Sequence, residues 1–90
     1  MSRTAQAIES WARGNPRLTA PYGVLSSEGR SSSGRRYWSV TFGVSRISDV
    51  EVRVFSPNFI LIRDTRFGNV QVKSLDEALT RLRAHYEDQP

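Results

Sequence analysis

Arginines set among aromatic residues are the feature of this chain whose type and spacing point most directly to a contact chemistry. Arg30, Arg35 and Arg36 surround a run of serines and a glycine and lead straight into Tyr37. A guanidinium group offers a planar fork that matches phosphate and carboxylate oxygens and also lies flat on aromatic faces. Arg53, Phe55 and Lys73 repeat the combination further along the chain. Cations interleaved with aromatic rings hold phosphates and stack on bases, and they meet acidic protein surfaces equally well. The plain alternative is an ordinary mixed, charged surface beside a disordered loop.

Other chemistries lack their residues. There is no cysteine, which removes disulfides, thiolate metal sites and thiol nucleophiles. His85 is the only histidine and falls on the polar side of the last predicted helix, where a solvated surface role suffices. Asp49 and Glu51 point to the same side of one predicted strand, but Arg53 shares that side, so a local ion pair accounts for them and no metal site is expected. Serine is abundant but lacks a neighbouring base to activate it. Lys73 and Ser74 are adjacent, yet Ser74 is better explained as a helix cap. No catalytic residue and no cofactor are expected.

Two motif likenesses also fail on inspection. Gly29 and Gly34 have the glycine spacing of a phosphate-binding P-loop, but Arg35 and Arg36 stand where Lys and then Ser or Thr are needed, and a strand follows where a helix should begin. The stretch from Arg35 to Phe42 is distantly similar to the aromatic strand of RNA recognition motifs. That strand needs its stacking aromatics on an open face, whereas Trp38 and Phe42 fall on the core side here, and the order of elements differs.

The charge is uneven. The net charge is +4 and the pI about 10.3; residues 1–36 carry six arginines against two glutamates, while residues 75–90 carry two arginines against four acidic residues. Lys73 is the single lysine among thirteen basic residues. A GC-rich coding sequence would produce the same preference for arginine, so the preference alone names no partner.

Positioning these residues falls to a small set of elements. Residues 3–13 have the periodicity of a short helix, with Ala5, Ile8 and Ala12 on one face, Trp11 at its edge, and Gly14 and Pro16 to stop it. The stretch 15–36 is irregular; Tyr22, Val24 and Leu25 suit a short edge strand, and the Ser/Gly/Arg segment 26–36 has nothing to bury and reads as a flexible loop. From 37 to 45, Trp38, Val40, Phe42 and Val44 alternate with polar or small residues, and Gly43 marks a candidate bulge. Val50, Val52 and Val54 continue the alternation over 49–55. Residues 59–63 are apolar on both faces, and Val70 and Val72 alternate with Gln71 and Lys73. Ser74 and Glu77 form a capping box before a helix over 75–86 whose apolar face is Leu75, Ala78, Leu79, Leu82 and Tyr86.

These elements predict one α+β domain over 1–90: a four-stranded antiparallel meander with an N-terminal and a C-terminal helix packed on one face (α-β-β-β-β-α). One sheet face is dry beneath both helices. The other carries Tyr37, Arg53, Phe55 and Lys73 and is left for contact. Something must also cover the second face of 59–62, either the 20–25 segment or a second copy of the chain. With no apolar run of spanning length and no visible secretory signal, a cytoplasmic protein without membrane contact is expected.

The function expected from these features is non-catalytic binding to a nucleic acid or nucleoprotein through Arg30, Arg35, Arg36, Tyr37, Arg53, Phe55 and Lys73. The alternative is a protein-directed inhibitor or adaptor that meets an acidic protein surface or pairs as a homodimer. In length and α/β layout the chain is similar to small phage-encoded antagonists of host defence of the anti-CRISPR type; the likeness covers size and organisation and no motif.

Overall fold

Alternation along 37–45 and 49–55 produces the two longest strands of the computed structural model, which describes residues 2–15, 18, 23–45, 48–64 and 68–87, the side chains at 44, 45, 48, 49 and 87 excepted. β-Branched and aromatic residues at every second position suit a pleated surface buried on one side. The strands are β1 (Leu25–Arg30), β2 (Arg36–Ser45), β3 (Ser48–Ser56), β4 (Phe59–Asp64) and β5 (Gly68–Val72), between α1 (Arg3–Arg13) and α2 (Leu75–Leu82); a π-helical turn, Arg83–Glu87, continues α2. Each strand pairs antiparallel with the next, giving one sheet in the order β1-β2-β3-β4-β5. The register between β2 and β3 shifts between Gly43 and Ser45, where the lone glycine marks a bulge.

The sheet has five strands where four were expected, and the added one comes from the Ser/Gly/Arg segment. Leu25–Arg30 pairs with β2 from Leu25 opposite Thr41 to Arg30 opposite Arg36. An edge strand is held by its backbone ladder and needs no apolar face, so the absence of anything to bury did not prevent it. The connection is a tight turn. The Gly34 N–H donates to the Ser31 carbonyl at 2.9 Å, and the Ser31 N–H donates to the Arg35 carbonyl at 2.9 Å. Gly34 has φ +85°, the left-handed conformation that closes a three-residue hairpin loop and favours glycine. Val24 is buried just before β1, and Tyr22 lies outside the described residues.

The dry face matches the expected one except at Trp38 and Val70, which are only partly buried. Val40, Val52 and Ile62 are successive cross-strand neighbours, as are Phe42 and Val50, and all five are buried. α1 packs over β2 and β3, and α2 over β4 and β5, both on this side. Ala5, Ile8 and Ala12 from α1 and Ala78, Leu82 and Tyr86 from the C-terminal segment complete one core. Phe42 joins the two helical layers: its ring meets Trp11 edge-on at 5.7 Å and Tyr86 at 5.9 Å. Val44 has the parity of this face, but its side chain lies outside the described ones.

Both helices are capped. The Ser2 Oγ accepts from the Ala5 N–H at 3.1 Å, and the Ser74 Oγ accepts from the Glu77 N–H at 3.1 Å, each cap contributing about 1 kcal/mol. The return bond of the expected capping box differs by one residue: Glu77 Oε2 accepts from the Lys73 N–H, not from that of Ser74. Among the described residues no helix is long and apolar enough to cross a membrane.

Candidate functional site

Hairpin geometry decides which arginine faces which way. Side chains alternate along β1 and β2, so Gly29 and Tyr37 share the open face while Arg30 and Arg36, paired with each other, share the helix-bearing face with Glu28 and Trp38. Arg35 belongs to the turn and reaches back over the open face. Its guanidinium carbon lies 4.9 Å from the centre of the Phe59 ring and 5.4 Å from that of Phe55. Phe55 in turn meets Phe59 at 5.0 Å and Tyr37 at 5.2 Å. Arg53 closes the other side of the cluster, 4.6 Å from the Tyr37 ring centre. The result is three aromatic rings held between two guanidinium groups, each such cation contact worth about 0.5–1 kcal/mol at an exposed site.

The two guanidinium groups differ electrostatically. Arg53 donates to Glu51 Oε1 at 2.9 Å, and Arg63 donates to the same oxygen at 3.1 Å. The Ser39 hydroxyl donates to Glu51 Oε2 at 2.8 Å. Glu51 thus anchors Arg53 and offsets its charge, which extends the local ion pair expected from the Glu51 and Arg53 spacing. Asp49 was expected in that pair, but its side chain is outside the described ones. Among the described residues no carboxylate pairs with Arg30, Arg35 or Arg36, all three exposed. Among the described residues their side chains make one hydrogen bond, a long one of 3.5 Å from Arg30 Nη1 to the Gly34 carbonyl.

Gly29 is required by close approach. A Cβ there would stand 2.7 Å from the Cζ and Oη atoms of Tyr37. The ring cannot simply swing away, because Phe55 and Arg53 hold it from the other side. Gly29→Ala is expected to displace Tyr37 and destabilise the protein by about 1–3 kcal/mol. A shift of the Tyr37 ring resonances together with a lower urea midpoint would register it; an unchanged midpoint would mean that the ring packs elsewhere.

The chain matches no family model, no curated protein and no solved structure. Function therefore rests on what these side chains can do.

Four of the expected contact residues, Arg35, Tyr37, Arg53 and Phe55, come together on the open face. Phe59 joins them, and reading it only as part of a two-sided apolar strand missed this. The signal was the two-residue Pro57–Asn58 turn, which folds Phe59 back beside Phe55. Phe55 and Arg35 pack on Phe59, while residues 20–22 of the 20–25 segment expected over this strand lie outside the described residues. Arg30 and Arg36 stay at the same end of the sheet but on its opposite face. Lys73 follows Val72, the partner of Ile60, and so stands exposed at that end as well, with no contact to the ring cluster.

A second depression lies between the C-terminal helical segment and β4–β5. It is lined by Asp64, Arg81, His85 and Tyr86 among apolar residues. His85 is half-buried there, with its ring 6.0 Å from that of Tyr86, and is not the freely solvated residue expected. Tilt of the last turn into the π-helical form is a tertiary effect that periodicity could not signal. Among the described residues no group of three or more His, Asp or Glu side chains could hold a metal ion.

Proposed function

We propose that this protein is a small non-catalytic binding module that contacts the phosphate backbone of a nucleic acid, alone or within a nucleoprotein, through the β1–β2 turn and the adjoining open face. One observation carries the reading: Arg35 lies in a single tight turn that Arg30 and Arg36 flank, and none of the three has an acidic partner among the described residues. Uncompensated guanidinium groups on a fixed turn are a ready counter-charge for phosphates. On the open face Arg35 and Arg53 cover the rings, so cations and not bare aromatic faces meet the ligand there.

Titration of labelled RNA and DNA at several salt concentrations tests the reading. With three phosphate contacts, log affinity should fall against log salt with a slope of about −2 for a single strand and about −3 for duplex DNA. Absence of binding even at low salt would end it.

A protein-directed inhibitor or adaptor of the phage anti-defence type is favoured by a different observation. Leu25 is 61% exposed on β1, an edge strand of the sheet. Among the described residues nothing pairs with the outer edge of β1, and a strand edge beside an exposed apolar side chain is a template for pairing with another chain, including a second copy of this one. Sedimentation over a range of concentrations separates the readings: a monomer throughout, with no captured protein partner, leaves only the nucleic-acid one.

A further inference from the structure

Among the described residues, neither helix extends over the end of the helix-bearing face. Beyond Ser2, the N-cap of α1, lies an open groove of about 410 Å³ lined by Ser2, Glu28, Arg36, Trp38, Val54 and Pro57, which reaches Tyr37 and Phe55 at the end of the sheet. That is the size of a small-ligand site. Trp38 is half-buried, but its Nε1 is fully buried and finds no acceptor, so the part of the side chain that shows is ring carbon. Glu28 is the direct cross-strand partner of Trp38, and Arg36 precedes Trp38 by one alternation on the same face, opposite Arg30. Glu28, Arg30 and Arg36 are all exposed, and no ion pair joins Glu28 to either arginine.

An aromatic surface, a carboxylate at its side, the Arg36 guanidinium in the lining and Arg30 paired beside Arg36 describe their complement. It is a flat ring with adjacent N–H donors on one edge, joined to a phosphate. Single-stranded bases are recognised by stacking on aromatic side chains and by hydrogen bonds to their Watson–Crick edges. Guanine alone among the common bases presents a ring N–H beside an exocyclic amino group, a pair of donors that one carboxylate accepts together. On the open face Tyr37, Phe55 and Phe59 are already covered by Arg53 and Arg35, whereas Trp38, packed against the core yet only half-buried, lines the groove.

We infer that this groove receives one guanosine of a single strand, its base on Trp38, its N–H edge on Glu28 and its phosphate at Arg36 and Arg30. The inference rests on the nucleic-acid reading and adds the base and its seat. The test compares short thymidine oligomers whose central position is guanosine, inosine or abasic, titrated at low salt. Guanosine should bind about tenfold tighter than the abasic oligomer, with inosine, which lacks the amino group, between them. Glu28→Gln should remove the preference for guanosine over inosine, while the abasic oligomer binds somewhat tighter because a negative charge beside Arg30 and Arg36 is lost. Trp38→Leu should remove the gain from any base. If that variant does not fold, the exposed Glu28 substitution still decides. Equal binding of all three oligomers overturns the groove while sparing the phosphate-contact reading. Failure of every oligomer to bind overturns both. Competition by free guanosine monophosphate as strong as by the oligomer would overturn the assignment to a strand.

Discussion

Replacing Phe42 by alanine is expected to lower the free energy of unfolding by about 4 kcal/mol, the middle of the range for a buried aromatic. Phe42 is 1% exposed and is the largest of the fully buried side chains. Its removal takes away both the transfer energy of the ring and the edge-on contacts with Trp11 and Tyr86, so each helical segment loses a hold on the sheet. Small domains have only about 5–15 kcal/mol of net stability. The variant should therefore unfold at a much lower urea midpoint with an unchanged slope, and Phe42→Leu should fall between it and the parent. A loss under about 1 kcal/mol would show that the site collapses freely and that the helices do not depend on this ring.

Reversing the charge of the turn should have the largest effect on binding. Substituting Arg30, Arg35 and Arg36 by glutamate changes the charge by two units at each position, taking the net charge from +4 to −2. Nucleic-acid affinity at moderate salt should drop by about a hundredfold or more, and the salt slope for a single strand should flatten by about 2. All three side chains are exposed, so the fold should persist apart from the contact of Arg35 with Phe55 and Phe59, worth about 0.5–1 kcal/mol. Circular dichroism and the urea midpoint check that condition. The corresponding triple lysine variant keeps the charge and should keep most of the slope while losing the planar fork. A glutamate variant that binds as tightly as the parent would show that the turn makes no phosphate contact.

Much of the architecture was legible because it rests on short-range patterns. Period-two alternation across 37–55 placed the dry face, the last helix was marked by its capping box and apolar spacing, and the first by its apolar face and the Gly14 and Pro16 that stop it. β1 was not legible. Its stability lies in a backbone ladder with β2, and Leu-Ser-Ser-Glu-Gly-Arg has no apolar alternation to betray it. The same gap hid the division of the arginines. Once 25–30 is a strand, its parity and that of β2 put Arg30 and Arg36 on one face, while Arg35, in the turn, folds onto the other. Arg53 beside Glu51 could be read from spacing. The capture of Arg63 and Ser39 by the same carboxylate could not, because it depends on which strands become neighbours.

The sequential strand order bears on how the molecule comes to be folded. Hairpins between adjacent strands close short loops at low entropic cost, and chains rich in such local pairings fold quickly. α1 is synthesised first, yet the surface it packs on is made by β2 and β3. It therefore has nowhere to dock until the hairpin of β2 and β3 exists, and its eleven residues are too few to persist as a helix in water. The amino-terminal segment should be the last to settle and the first to detach, with Ala5, Ile8, Trp11 and Ala12 open to other apolar surfaces in the interval.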